Sequence, residues 1–565
     1  MTQSVTPSVT QPLAPTFEPA VRARRAALRG RPGWSALVVV VALLTAAPVV
    51  TVLLGREGSP AWPGNLGAMV VTTLLLMAGV GVGTLVLGCG LAWLVTAHTF
   101  PLRDVMVWLL VLPLAMPAYI LGFVFLSTFD ASGPVQGWVR TTFAAGFQLD
   151  LSTLTGCAIV MSLTLYPYVY LLARAAFAEQ APTTYDAARS LGAGRLRAFF
   201  RVLLPLARPS LAAGLALVMM EVLTDFATIQ YFGVQTVSYC VYITWKSSYQ
   251  FASAVQLASL VMLFAFAVIA GERLLRGRAR FTQRGGRGAG LTQSPLTGWR
   301  GVLAMLACLA AVSAAVLVPV LRLSWWAWDH ARGDGPPALG EGFTQALTNS
   351  AVVAVLAALL CVVLAVLIGH ALRLGAGRLV RSAAQLTTFG YAVPGAVIGI
   401  GVLLLLQHVD DLLEWVGVPG GTGLLVTGSV PAILAAYGVR FLGPAFQAVD
   451  ASYAKLSPSV TQSAMSLGAG PLRLLGRVHG PLVRPGIAVA LVLVAIDAVK
   501  ELPLVLMLRP IGFDTVSVWV HQLASENLWG LVAAPALVIV GLAVVPVGIL
   551  IRQVRAADLR EGGRR

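Results

Sequence analysis

The chain has 565 residues, of which 58% are hydrophobic and only 11% charged, with a formal net charge of +16. Together with a mean hydropathy of +0.83, this balance excludes a soluble globule and predicts an all-α polytopic membrane protein. Membrane insertion and anionic headgroups account for the basic excess, so lipid is an expected partner and nucleic acid is not.

Residues 1–33 are rich in Thr, Pro and Ser and then gather Arg22, Arg24, Arg25, Arg29 and Arg31. Such a composition cannot bury a core, and a disordered tail ending at the membrane is expected. The apolar run from Trp34 to Leu54 is long enough to cross about 30 Å of hydrocarbon at about 1.5 Å per residue. Because the tail before it exceeds that of a secretory signal, it reads as an uncleaved first helix. Further spans are expected at 68–95, 105–127, 154–176, 210–230, 254–274, 299–322, 346–370, 385–407, 424–439, 486–508 and 530–551, twelve in all. The tenth is short and broken by Gly428 and Pro431.

With the N-terminus cytoplasmic, alternate loops place 32 of the 39 Lys and Arg residues on the cytoplasmic side, counting Arg440 in the loop after the tenth span. The positive-inside rule therefore puts both termini in the cytoplasm.

A repeat organises the chain. Residues 187–211 and 463–487 are identical at 14 of 25 positions when superposed at an offset of 276. Ser190-Leu191-Gly192-Ala193-Gly194 falls on Ser466-Leu467-Gly468-Ala469-Gly470, and Arg201, Pro205 and Arg208-Pro209 fall on Arg477, Pro481 and Arg484-Pro485. Each copy follows the fourth span of a six-span half, so two parallel pseudosymmetric six-helix repeats are expected. Their bounds are 34–275, with an elbow at 179–209, and 299–555, with an elbow at 455–485. A flexible, Gly- and Arg-rich cytoplasmic linker at 276–298 joins them, and a second cytoplasmic tail occupies 556–565. Each elbow should be a short helix, a Gly-x-Gly turn and a second short helix halted at Pro205 or its counterpart. Two readings stay open for so well preserved a polar segment: a docking surface, or packing alone.

Chemistry of the chain's own is not expected. None of the three lysines, Lys246, Lys455 and Lys500, follows a glycine, so the phosphate cradle G-x-x-x-x-G-K-[ST] is missing. The six histidines form no metal-binding cluster, the five cysteines have no CxxC spacing, and there is no G-x-S-x-G elbow. No catalytic residue, bound cofactor or stable metal site is predicted.

The elbow resembles the EAA loop of the membrane permeases of binding-protein-dependent ABC importers. Asp186-Ala187-Ala188, Gly192, Val202, Leu204 and Pro205 match that pattern, with Asp in place of Glu; Ala464, Gly468, Val478 and Pro481 match it more loosely, and Gly480 stands where Leu is expected. Over nearly the whole chain after the tail, the arrangement looks like the fused ferric-iron permeases, as do the segments Asp225 to Thr236 and Lys500 to Ser525. The resemblance implies a transport component in a bacterial cytoplasmic (inner) membrane, served by a periplasmic or lipid-anchored substrate-binding protein. Two copies of a separate ATP-binding cassette ATPase, which uses ATP and Mg, would dock on Asp186, Ala187, Ala188, Gly192 and Pro205 in one elbow and on Ala464, Gly468 and Pro481 in the other. Permeases for thiamine, polyamine or phosphonate share parts of the pattern and stay open. A 6+6 ion-coupled secondary transporter is disfavoured, because its repeated loop usually follows the second span of each half.

Four acids lie in expected spans: Glu221 and Asp225, and Asp497 and Glu501, related by the same offset of 276. Within each pair, four residues apart, both carboxylates are expected on one helix face. Each acid costs about 2.5–3.5 kcal/mol near the bilayer centre, so they should line the interface between the halves. Either they form a pathway or gate for a hard cation, or they hold helices together, with Lys500 neutralising part of the charge. Pro117 and Pro394, at nearly matching places, mark possible kinks. Asp130, Asp150, Asp410, Asp411 and Glu414 lie in expected outer loops, where a binding protein would meet the chain.

Overall fold

With no water in the hydrocarbon to bond to, a chain this apolar must satisfy its backbone internally, and helices do so one segment at a time. The computed structural model describes residues 32–55, 62–130, 133–142, 150–179, 182–247, 251–276, 293–333, 335–418 and 428–562. The expected N-terminal tail lies almost wholly outside these residues, as does the greater part of the expected linker. Among the described residues, eleven helices are long and apolar enough to cross a membrane, or twelve spans if one bent pair is counted as a span. In chain order, α1 is Pro32–Leu54, α2 Leu66–Ala97, α3 Leu154–Ala178, α4 Arg195–Thr224, α5 Phe251–Leu275 and α6 Trp299–Arg332. The remainder are α7 Glu341–Arg373, α8 Gly395–Trp415, α9 Val430–Ala454, α10 Pro471–Lys500 and α11 Trp529–Ile549. The fold is all-α; a parallel bridge of two residues per strand, His98–Thr99 with Ser294–Pro295, is a minor addition.

Five expected spans, the third, fifth, ninth, tenth and eleventh, are drawn differently. The third is a pair of helices, Arg103–Ala115 and Ala118–Phe129, bent by 91°. Met116 is extended because the following Pro117 crowds it out of the helical region, and Val393 before Pro394 does the same ahead of α8. The fifth and eleventh begin earlier than expected, because the second elbow helix runs straight into the span and is not halted at Pro205 or Pro481. A π turn at Phe199–Leu203, and another at Leu475–His479, carries the chain through. Their Leu204 and Gly480 N–H groups reach back five residues, to Phe199 and Leu475, a wider bonding pattern that tolerates the missing prolyl donor. The same two spans stop early, at Asp225 and Glu501. The tenth is a full helix, because Pro431 sits in its first turn, where no N–H is needed, and because Arg440 lies buried inside it.

α2, α3 and α4 pack on one another, as do α7, α9 and α10. α1 lies on Arg378–Leu386 and α8, and α6 on Arg103–Leu109 and Ala118–Phe129. Close approach depends on small residues. A Cβ on Gly88 of α2 would meet Val169 Cβ at 2.8 Å and the Tyr166 carbonyl at 3.0 Å on α3. Gly88→Ala is therefore expected to destabilise the protein by about 1–3 kcal/mol through overpacking, read as a lowered unfolding temperature in detergent. Gly90→Ala, with nothing within 4 Å, is the neutral control.

Candidate functional site: two elbows and a cluster of buried charge

The elbows share their backbone bond for bond. The first short helix is Pro182–Ser190 in one and Pro458–Ser466 in the other. Gly192 and Gly468 end these helices at φ +86° and +81°, a region that glycine enters without strain. The Gly192 N–H donates to the Arg189 carbonyl and the Ala193 N–H to the Ala188 carbonyl, both at 3.0 Å; Gly468 to Met465 and Ala469 to Ala464 repeat the pair at 3.0 Å. This is a Schellman cap, in which the Ala188 and Ala464 carbonyls take the longer bond. Ala187 is exposed on the same short helix, while the side chain of Asp186 lies outside the described residues. After the turn, Gly194 and Gly470 are extended and start α4 and α10.

Side chains then divide the two elbows. In the second, Thr461 meets His479 at 3.0 Å, and His479 meets His370 of α7 at 2.9 Å. The counterparts in the first are the buried Tyr185 and Leu203 with Leu94, so apolar packing replaces a hydrogen-bonded chain. Both elbows expose the same leucine: Leu191 and Leu467 are each 89% accessible, followed by the exposed Leu196 and Leu472. Apolar side chains this exposed on a polar segment mark a surface that another protein can cover.

The four acids converge on one cavity of about 140 Å³, which Glu221, Asp225, Asp497 and Glu501 line together with Arg440 and Lys500. Asp225 and Glu501 are the first non-helical residues after α4 and α10, whereas Glu221 and Asp497 lie in the last turns of those helices, so each pair meets the cavity across a helix end and not along one helix face. A break inside the membrane leaves backbone groups in need of partners. Asp225 Oδ1 accepts from the Thr228 N–H at 2.9 Å and Oδ2 from the Thr228 hydroxyl at 2.5 Å, capping the short helix Phe226–Tyr231. Glu501 accepts from the Leu504 N–H at 3.5 Å, and its own carbonyl accepts from the Ser517 hydroxyl at 2.8 Å. Lys500 pairs with Asp497 at 2.8 Å.

Arg440 is the main residue that sequence reasoning misplaced. The positive-inside pattern places it in a cytoplasmic loop, but it is only 5% exposed, pairs with Glu501 at 3.1 Å and donates to the Val393 carbonyl at 3.3 Å. One guanidinium thereby joins the breaks at Pro394 and Glu501. Gly395 leaves room for it: a Cβ there would sit 2.9 Å from Glu501 Oε1 and 3.3 Å from Arg440 Nη1. Tyr119, Tyr168 and Tyr391 complete the lining, and a second cavity of about 270 Å³ shares Tyr168, Glu221, Tyr391 and Arg440 with the first. Pro117 lines the first cavity. Among the expected outer acids, Asp130 lines a separate cavity of about 430 Å³ with Gln230, Tyr231 and Asn527; Asp410, Asp411 and Glu414 lie near the end of α8. The five cysteines are buried and free. Among the described residues, no three His, Cys, Asp or Glu side chains are grouped to hold a metal ion.

Discontinuous helices whose ends and ionisable side chains surround a cavity within the membrane define a transport protein. Residues 84–280 match the family described as binding-protein-dependent transport system inner membrane component. That stretch is a permease domain of this kind, a transport component of ABC importers, and such permeases work with an ATPase and a substrate-binding protein. The chain is 23% identical over 535 residues to the Fe(3+)-transport system permease protein FbpB 2 of Haemophilus influenzae, covering 92% of this chain and 98% of the relative. The ferric transport system permease protein FbpB of Actinobacillus pleuropneumoniae is 22% identical over 502 residues, 85% of this chain and 71% of the relative. Over a shorter stretch of 192 residues, the sulfate transport system permease protein CysT of Escherichia coli is 29% identical, covering 32% of this chain and 68% of the relative.

Proposed function

We propose that this permease translocates ferric iron delivered by an extracytoplasmic binding protein, through a pathway that passes Glu221, Asp225, Asp497 and Glu501. Relatives named for ferric transport align along most of the chain, but the observation that carries the reading is the charge of the central cavity. Four carboxylates face two basic groups there, a balance that favours a cation with hard oxygen preferences and opposes an oxyanion such as sulfate. The chain comprises two parallel repeats with cytoplasmic termini and elbows. Two copies of a separate ATPase grip those elbows around Ala187, Ala188, Gly192 and Pro205, and around Ala464, Gly468 and Pro481. ATP and Mg are used in that partner, and the permease binds no cofactor of its own. Closure of the ATPase pair moves the elbows, and because each elbow is continuous with α4 or α10, it moves the helix breaks at Asp225 and Glu501 as rigid extensions.

Uptake into proteoliposomes holding the complete complex, comparing ferric iron with thiamine, polyamines and sulfate, tests the cargo; accumulation of any of the other three in place of iron overturns it. The division of labour makes a separate prediction. Purified free of other proteins, the chain is expected to hydrolyse no ATP, and steady phosphate release from such a preparation would refute it.

A further inference from the structure

The acids of the cavity repeat between the halves, but their cationic partners do not. At the offset of 276, Glu221 corresponds to Asp497 and Asp225 to Glu501, whereas Arg440 corresponds to Thr164 and Lys500 to Thr224. All eight residues except Thr164 and Thr224 are ionisable, and those two threonines also line the cavity. The second-half group is closed on itself, with Asp497 held by Lys500 at 2.8 Å and Glu501 by Arg440 at 3.1 Å. Among the described residues, neither Glu221 nor Asp225 has an ion-pair partner. The second-half acids are thus each paired and the first-half acids are not, although all four line one cavity with Arg440 and Lys500. Beside it, Tyr119 is 5% exposed, lines the same cavity, and its hydroxyl has no hydrogen-bond partner among the described residues. The Thr164 and Thr224 hydroxyls donate to carbonyls of their own helices, Met161 at 3.1 Å and Met220 at 2.9 Å, which leaves their oxygen lone pairs available to a cation.

Resting on the reading of the four acids as a pathway, we infer that the cation subsite is one-sided: it lies in the first half, on Glu221, Asp225 and the Tyr119 hydroxyl, while Arg440 and Lys500 occupy its counterpart in the second half as built-in cations. The cargo class is a hard multivalent cation, because the set supplies carboxylate, phenol and hydroxyl oxygen and no nitrogen or sulfur. A set with only two carboxylates suits passage, since cargo must leave as well as enter. The second half shows what an occupied subsite does for the fold, its acids being matched by covalently tethered charge.

The symmetry supplies the test. Thr224→Lys gives Glu221 a lysine three residues on, the arrangement that Asp497 has with Lys500, so the substitution copies a geometry this fold already holds. Asp225→Asn removes the charge yet keeps a residue that caps a helix as well as Asp does. Terbium(III) is the probe, its luminescence sensitised by the tyrosines of the cavity and titrated on the full chain in lipid nanodiscs. A saturable signal is expected in the wild type, weakened by about 10- to 100-fold in Asp225→Asn and Tyr119→Phe and abolished in Thr224→Lys. The double variant Asp497→Asn with Lys500→Gln should weaken binding less than Asp225→Asn does. Equal binding by wild type, Asp225→Asn and Thr224→Lys would overturn the inference, as would an equal loss in the second-half double variant. Iron uptake by the complete complex separates this from the cargo assignment. Terbium binding that depends on Asp225 in a complex that moves no iron would sink ferric transport and keep the subsite; iron uptake that survives both Asp225→Asn and Thr224→Lys would do the reverse.

Discussion

Arg440→Gln is expected to lower the stability of the protein by about 3–5 kcal/mol, the range for breaking a buried ion pair from one side. Both partners are 7% exposed at the side chain, so the Glu501 carboxylate left behind would lose its ion pair in a largely buried setting. The loss also frees the Val393 carbonyl, which accepts from Arg440 at 3.3 Å, at a place where lipid and apolar side chains offer no replacement donor. Glu501→Gln should be comparably harmful because it strands the arginine. Replacing both residues by methionine removes both charges together and should restore most of the stability. Unfolding temperatures of Arg440→Met, Glu501→Met and the double methionine variant in one detergent make a double-mutant cycle. Full stability in Arg440→Gln would show that the pair holds nothing together. The restored double variant should remain defective in uptake, because Arg440 and Glu501 line the cavity whatever they contribute to the fold.

Gly192→Val is expected to abolish coupling to the ATPase while the protein still inserts in the membrane, and Gly468→Val to weaken or abolish it. Both glycines are at positive φ, and no atom lies within 4 Å of an added Cβ. Steric clash is thereby excluded, and the whole effect is backbone strain of about 1–3 kcal/mol. That strain is relieved by opening the Schellman cap, which swings the short helix and the exposed Leu191 or Leu467 away from a fixed docking geometry. Asparagine tolerates left-handed backbone far better than valine, so Gly192→Asn should keep most of the coupling. The second elbow is also tied through Thr461 and His479 to His370, and this extra restraint should make Gly468→Val the milder lesion. Copurified ATPase and transport-stimulated hydrolysis report the outcome. Wild-type levels of both in Gly192→Val would mean that the elbows are preserved for packing alone.

Class, span number and the elbows were readable in the sequence because each rests on local chemistry. Runs of apolar residues must span lipid, and a glycine followed by a short basic stretch must turn and restart a helix. The glycine turns at 192 and 468 came out as the residues predict, since φ > 0 is a property of one residue and its neighbours. The ends of the spans were not readable in the same way. Pro205 looked like a stop, yet a π turn that α4 gains from packing carries the helix through it. Arg440 looked like a loop residue, because insertion rules treat a lone arginine as a boundary. The repeat held a correction, for the fourth span shifted by 276 runs from 430 to 452, with Arg440 in its middle, close to the observed α9 Val430–Ala454. What no local rule or internal repeat contains is the partner that makes a buried arginine affordable. Glu501 stands 61 residues further on, and only the packing of α9 against the break after α10 brings the two charges together. The packing of α1 on α8 and of α6 on Ala118–Phe129 is likewise a matter of tertiary structure, because an apolar helix face is satisfied by any apolar neighbour and carries no address of its own.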